Sequence, residues 1–195
     1  MDVITDIKQL NLNQHYSYED YMSWRFPQRV ELIDGKVFEL SPAPNLKHQR
    51  ISMTLSLNLG NGLNRLDQKR CQVFAAPFDV VLQKGSRSTI VQPDICIICD
   101  PAKLTKQGCE GAPEIIFEIL SPGNSKREMR DKFELYEMNG VLEYYIVDPA
   151  NETIFLYRLD ENQSYVNTKP LIEGDVIQSQ VINGLAIDVA AVFQD

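Results

Sequence analysis

The residues of this chain that could do chemistry gather between Val91 and Gly140. Asp94 follows Pro93 at the head of an apolar run, and Glu118 stands inside a second run, between Phe117 and Ile119. A carboxylate in an apolar strand is costly to bury unless something pairs with it, and a bound cation is one such partner. Two carboxylates at neighbouring strand ends can offer oxygens to Mg²⁺ (or Mn²⁺), which prefers oxygen ligands and keeps several waters. A cation held there lowers the pKa of a bound water and clamps a phosphate oxygen, the requirements of phosphodiester hydrolysis. A lysine close by would orient that water and neutralise the charge that builds in the transition state.

In the Asp-then-Glu-x-Lys spacing common to nucleases, that lysine lies two residues past the glutamate. Here the position is Leu120. Lys132, on the basic stretch that follows, is the candidate replacement. It lies about two helical turns in, roughly 10 Å along the axis, so it reaches Glu118 only if the helix packs back over the strand end. Lys126 is the competitor nearer the helix start, and an i,i+4 pair with Glu128 is the plain structural alternative for Lys132.

The elements that must position these groups can be read from periodicity. Ile115 to Leu120 is a nearly continuous apolar run, as in a strand buried on both faces. Ser121-Pro122-Gly123-Asn124 breaks it, and Ser125 with Glu128 forms a capping box for a helix through about Asn139, stopped by Gly140. Met129, Phe133 and Tyr136 would face the sheet. Val30 to Leu40 reads as a hairpin around Asp34-Gly35. Glu31 shares a face with Ile33, making it a possible inward carboxylate or a rim salt bridge. Ser41-Pro42-Ala43-Pro44 is a stiff connector. Asn45 to about Leu66 is a long helix, with Ile51, Leu55, Leu59, Leu63 and Leu66 as its stripe, widened by Met53 and Leu57; Gly60 and Gly62 weaken its last turns or mark its end. His48 lies in its first turn. Cys71 to Gln83 and Thr89 to Asp100 form a hairpin around Lys84 to Arg87, and a polar loop follows through Gly111. Val141 to Pro149 is the next strand and Thr153 to Leu159 pairs with it. The tail is a short strand, loops and a terminal helical turn. Ser17 and Asp20 open a short helix through about Trp24. Residues 1–15 read as a loose arm and residues 16–195 as one α/β domain with a mixed sheet.

Bulk composition bounds the function. The 195 residues are 44% hydrophobic and 24% charged, ordinary for a globular chain. The N-terminus lacks a signal-peptide pattern and no run of about 18 apolar residues exists, so a cytoplasmic protein without a membrane span is expected. Cys96 and Cys99 form a C-x-x-C, but three residues apart on a strand they point to opposite faces. Buried, reduced thiols are the expectation for them and for Cys71 and Cys109. The net charge of −8 runs against a general nucleic-acid binder. Basic residues do group, at Lys47 and Arg50, at Arg65, Lys69 and Arg70, at Lys84 and Arg87, and at Lys126, Arg127, Arg130 and Lys132.

Several stretches together resemble a known family: RVELIDG, SPAPNLKHQRIS, PFDVVL, VQPDICII, FEILSP, RDKFELYEMNGVLEYYIVDP, IEGDVIQS and NGLAIDVAAVF. In this order, from about Tyr16 onward, they resemble the Uma-two family of restriction-endonuclease-like proteins, similar to the PD-(D/E)xK nuclease superfamily. The resemblance implies a restriction-endonuclease-like mixed β-sheet flanked by helices, with a lysine moved to a helix. It implies that Asp94 and Glu118 are metal ligands, with the Ile119 carbonyl a possible third, and that Lys132 is the displaced lysine. Glu31 would be an outer ligand or water-activating base, and His48 matches a recurring histidine. The activity implied is a Mg²⁺-dependent endonuclease acting on DNA, expected as a homodimer because cutting both strands of a duplex calls for two sites. Two other readings compete: a non-catalytic nucleic-acid-binding or scaffold protein of the same fold, and a carboxylate-pair hydrolase such as a glycosidase, which has no use for Lys132.

Overall fold

The computed structural model describes residues 3–40, 45–121 and 126–194, and the side chains from residue 129 onward in the last segment. The Ser41 to Pro44 connector, the Pro122 to Asn124 break and the Ser125–Glu128 capping box lie outside the described residues. The segment expected as a loose arm is tied down. Asp6 caps a 3-10 turn over Ile7–Gln9, Leu10 is buried, and the Ile4 carbonyl accepts from the Arg25 N–H at 2.8 Å. Helix α1 (Tyr18–Ser23) begins with the expected box: Ser17 Oγ accepts from the Asp20 N–H at 3.1 Å and Asp20 Oδ2 accepts from the Ser17 N–H at 2.9 Å. Strands β1 (Val30–Ile33) and β2 (Lys36–Glu39) form the predicted hairpin. Its turn puts Asp34 at φ 49° and Gly35 at φ 72°, the left-handed region that a two-residue hairpin requires.

Helix α2 (Leu46–Arg65) runs 20 residues and buries Ile51, Leu55, Leu59 and Leu63 at i, i+4, i+8 and i+12. Met53 and Leu57 do not widen this stripe; they are 62% and 58% exposed, on the far side of the helix. The helix runs past Gly60 and Gly62 to Arg65, so neither marks its end. Gly62 lets the C-terminal segment close on the helix, since a Cβ there would sit 2.5 Å from Leu185 Cδ1.

The β-rich stretch after α2, expected as one hairpin, is shared between two sheets. It divides into β3 (Gln72–Ala75), β4 (Asp79–Gln83), β5 (Thr89–Val91) and β6 (Ile95–Ile98). β4 pairs with β5 and β3 with β6, both antiparallel. The crossing point is marked by Pro77 and Pro93, neither of which can donate to a ladder. There the Ala76 N–H still reaches the Asp94 carbonyl at 3.0 Å. The loop expected through Gly111 contains a further strand, β7 (Gly108–Glu110), parallel to β4.

The chain continues through β8 (Ile115–Ile119), α3 (Lys126–Met138), β9 (Glu143–Asp148), β10 (Thr153–Leu159), β11 (Tyr165–Asn167), β12 (Val176–Gln178), β13 (Ala186–Asp188) and α4 (Val189–Phe193). One sheet has the order β2-β1-β5-β4-β7, a larger one the order β11-β10-β9-β8-β6-β3, and β12 pairs with β13. β8 and β9 run parallel, the crossover being α3, while β9 and β10 are antiparallel. The architecture is thus mixed α/β, with mixed sheets flanked by helices.

Alternation on β8 decides the layers. Ile115, Phe117 and Ile119 join α2 and the C-terminal elements in one core; Ile116 joins Leu135 and Tyr136 of α3 in a second, which Val80 and Val91 of the smaller sheet also enter. A third core packs Leu10, Tyr16 and Trp24 on the outer face of the smaller sheet, against Val30, Leu32, Val81 and Ile90. Helix α3 therefore lies where the two sheets face each other.

The cysteine expectation fails for half of the thiols. Cys71 and Cys99 are joined in a disulfide across 28 residues, while Cys96 and Cys109 stay buried and free. The physical reason is register: Gln72 pairs with Ile98, so the next pair outward is Cys71 and Cys99. Only strand pairing brings these two together.

Two measurements check this account. Ellman titration of the denatured, unreduced chain is expected to find the two thiols of Cys96 and Cys109. In the native protein their reaction should be slow and should speed up toward alkaline pH, because burial pushes the Cys109 thiol up to about 11. Leu55→Ala should lower unfolding free energy by about 2–5 kcal/mol in a urea titration, as expected for a fully buried leucine.

Candidate metal and catalytic centre

Glu118 projects from β8 on the α3 side of the larger sheet, and Glu31 projects from β1 on the face that Ile33 presents to the same core. The buried Glu31 and the Glu118 side chain, 13% exposed, therefore look from two different sheets toward one helix. Lys132 on α3 answers both: its Nζ lies 2.9 Å from Glu118 Oε1 and 3.2 Å from Glu31 Oε1. The helix does fold back over the strand, and Lys132 is 6% exposed. Glu31 is 2% exposed, so the inward alternative holds and the rim salt bridge does not.

Tyr136 completes this cluster. It sits one turn after Lys132 on the same face of α3, is fully buried, and donates its hydroxyl to Glu118 Oε1 at 2.6 Å. Sequence reading placed Tyr136 against the sheet but missed its polar role; the i,i+4 spacing from Lys132 was the available signal. Glu31 Oε1 also accepts the Gln92 N–H at 2.8 Å. Gln92 was not singled out from sequence either. Its side chain donates to Asp79 Oδ1 at 2.8 Å and accepts from Arg29 Nε at 2.8 Å, fastening the strand crossing beside Asp94.

Asp94 lies at that crossing. Its Oδ2 accepts the Ile119 N–H at 2.8 Å and is 3.2 Å from His48 Nε2. Asp94 is thus anchored to the residue next to Glu118, and His48 is brought in by the first turn of α2. Lys126, the competing lysine, has no described side chain.

Electrostatics follow from this crowding. The Glu118 carboxyl is raised to about 7: burial and the charges of Asp94 and Glu31 push it up, against the pull of Lys132 and the Tyr136 hydroxyl. Burial works against the Lys132 ammonium, but Glu118 and Glu31 more than compensate and hold it well above the usual lysine range. Burial likewise depresses the His48 imidazole, yet its bond to Asp94, the charges of Asp94 and Glu118 and the Ile119 main chain leave it raised overall. The Tyr136 hydroxyl is raised by burial and by the neighbouring carboxylates, so it stays a donor.

The fit of a cation can be tested against a carboxylate that clearly serves structure. Glu143 on β9 is 1% exposed and satisfied on both oxygens. Its Oε1 accepts from Arg158 Nε and the Gln180 N–H, and its Oε2 from Tyr145 and Ser179 hydroxyls. Glu31, Asp94 and Glu118 differ. Among the described residues, every hydrogen bond falls on one oxygen of each: Oε1 of Glu31, Oδ2 of Asp94 and Oε1 of Glu118. The second oxygen of each is the one left for another partner. No group of three or more His, Cys, Asp or Glu suited to holding a metal occurs among the described residues. Two carboxylates and a main-chain carbonyl suit an oxygen-loving ion that keeps several waters, as Mg²⁺ does. They do not suit a closed zinc cage.

Known proteins resemble the chain in sequence and in fold. A protein of Synechocystis sp. strain PCC 6803, described as "Uncharacterized protein slr1290", is 27% identical over 153 residues, 77% of each chain. A crystal structure from Anabaena variabilis, described as "a putative nuclease belonging to DUF820", shares 18% identity and superposes with a TM-score of 0.70. It spans 91% of this chain and 97% of its own, a likeness of fold. Residues 18–190 match the Uma2 family, described as "Putative restriction endonuclease", and the chain belongs to that family.

Proposed function

We propose that the protein is a Mg²⁺- or Mn²⁺-dependent endonuclease that hydrolyses DNA phosphodiester bonds. The observation that carries this reading is Lys132: an ammonium from α3 inserted between Glu118 and Glu31, beside an anchored Asp94. Family membership and the nuclease-like fold support it. Asp94 and Glu118, through their second oxygens, would hold the cation, with the Ile119 carbonyl as a third ligand. When bound, such a cation supplies Lewis acidity toward a phosphate oxygen and acidifies a water.

The side chains have separate tasks. Lys132 has three N–H donors, of which Glu118 and Glu31 take two. The third is available to a phosphate oxygen or to the attacking water, where a positive charge matters most as negative charge builds. Glu31, held by the Gln92 N–H, keeps the lysine aimed and charged. Tyr136 holds Glu118 through the same oxygen that Lys132 engages. A symmetric pair of chains would supply the two sites that a duplex needs. The net charge of −8 favours a second reading, a non-catalytic scaffold protein of this fold.

Supercoiled plasmid incubated with the purified protein and Mg²⁺ or Mn²⁺ tests the choice. Nicking is expected, with a loss of about 100-fold or more in Asp94→Ala and Lys132→Met. Absence of nicking by the wild type, or equal nicking by Asp94→Ala, would sink the endonuclease reading. Calorimetric Mn²⁺ binding that disappears in Glu118→Gln would count against the scaffold reading. Tyr136→Phe removes a donor from a buried carboxylate, so urea unfolding should show about 1–3 kcal/mol of lost stability. An unchanged midpoint would mean that the hydroxyl does not hold Glu118.

A further inference from the structure

Asp94 is held by groups from two different elements that meet on a single oxygen. The Ile119 N–H belongs to β8, and His48 Nε2 comes from α2. Both meet the same oxygen, Oδ2. One N–H alone leaves a carboxylate able to rotate about its last bond; a second donor from another direction removes that freedom. Asp94 Oδ1 is then set in one orientation, with no hydrogen bond among the described residues.

The ring of His48 is delivered to this place deliberately by local structure. Asn45 caps α2 and accepts the His48 N–H at 2.9 Å, fixing the first turn. The side chain is buried at the edge of a helix face otherwise filled by Ile51, Leu55 and Leu59. Its Nδ1 is the buried side-chain polar atom that lacks a partner among the described residues. An unpartnered buried polar atom costs stability, and an aliphatic residue at this position would avoid that cost. Packing alone does not account for a histidine here, whereas a hydrogen bond to Asp94 does. An ionised carboxylate can only accept, so Nε2 must carry the proton and Nδ1 is the nitrogen left bare or unmatched.

We propose that His48 is a positioning residue, donating through Nε2–H to Asp94 Oδ2 so that Asp94 Oδ1 is presented to the cation. This rests on the cation site of the proposed function. Donors that orient a ligating carboxylate act through it, and their loss weakens metal binding by about 10–100-fold.

Two experiments on the full chain decide it. The protein has two histidines, His15 and His48, so ¹⁵N-histidine labelling gives an assignable long-range ¹H–¹⁵N spectrum. His48 should be protonated at Nε2, and Asp94→Asn should move its resonances and leave those of His15 in place. A His48 ring protonated only at Nδ1 overturns the inference. Calorimetric titration with Mn²⁺ alone should give an affinity about 10–100-fold weaker in His48→Ala, with most of it regained in His48→Gln, whose amide can donate. Circular dichroism melts of both variants should show folded protein. Wild type that binds Mn²⁺ with His48→Ala binding equally well overturns this inference and leaves the cation site standing. Wild type that binds no Mn²⁺ overturns the cation site, and the positioning role falls with it.

Discussion

A single buried ammonium allows the two sheets to face each other as they do. Glu31 and Glu118 come from different sheets, and both are withdrawn from water on the same side of α3. Without Lys132 their mutual repulsion and lost hydration would drive the sheets apart or protonate one of the two. With it, the charges are paired at 2.9 and 3.2 Å. Burial still leaves Glu118 with a carboxyl raised to about 7. The site is held together by the lysine but not neutralised by it.

That constraint explains the arrangement around it. Tyr136 must follow Lys132 by one turn, because Glu118 Oε1 needs a second donor from the same helix face. Gln92 and Ile119 present main-chain N–H groups to Glu31 and Asp94, and such donors cannot swing away. The strand crossing at Pro77 and Pro93 puts Asp94 at the seam between the two sheets, within reach of both α2 and β8. The contrast with Glu143 shows how the same residue type serves two purposes. Glu143 is closed on both oxygens and ties β9 to Ser179 and Gln180 of the C-terminal segment. The carboxylates of the centre are each engaged through one oxygen among the described residues.

The acidic total charge and the buried basic group also make sense together. Much of the basic character that sequence grouping suggested is consumed by pairing: Lys47 with Glu152, Lys69 with Asp67, Lys84 with Glu110 and Arg87 with Asp34. These are surface pairs of small energetic weight. Lys132 is of another kind, since its charge is nearly removed from water and addressed to two carboxylates.

What the sequence determined by itself is whatever depends on neighbours in the chain. The period of α2 is written in Ile51, Leu55, Leu59 and Leu63, the first turn of α1 in Ser17 and Asp20, and the β1–β2 hairpin in Asp34-Gly35, because capping, alternation and turn chemistry are local. The anomaly of Glu118 in an apolar strand was legible for the same reason. The tertiary structure alone decided which distant residues meet. The Cys71–Cys99 disulfide, the splitting of one apparent hairpin between two sheets, β7 inside an apparent loop, and the outward turn of Met53 and Leu57 all depend on strand pairing and helix docking that no local pattern encodes. So does the centre itself: Glu31, Asp94, Glu118, Lys132, Tyr136 and His48 come from β1, the strand crossing, β8, α3 and α2. They share a site because burying like charges from two sheets is tolerable only where a cation from a third element can reach them both.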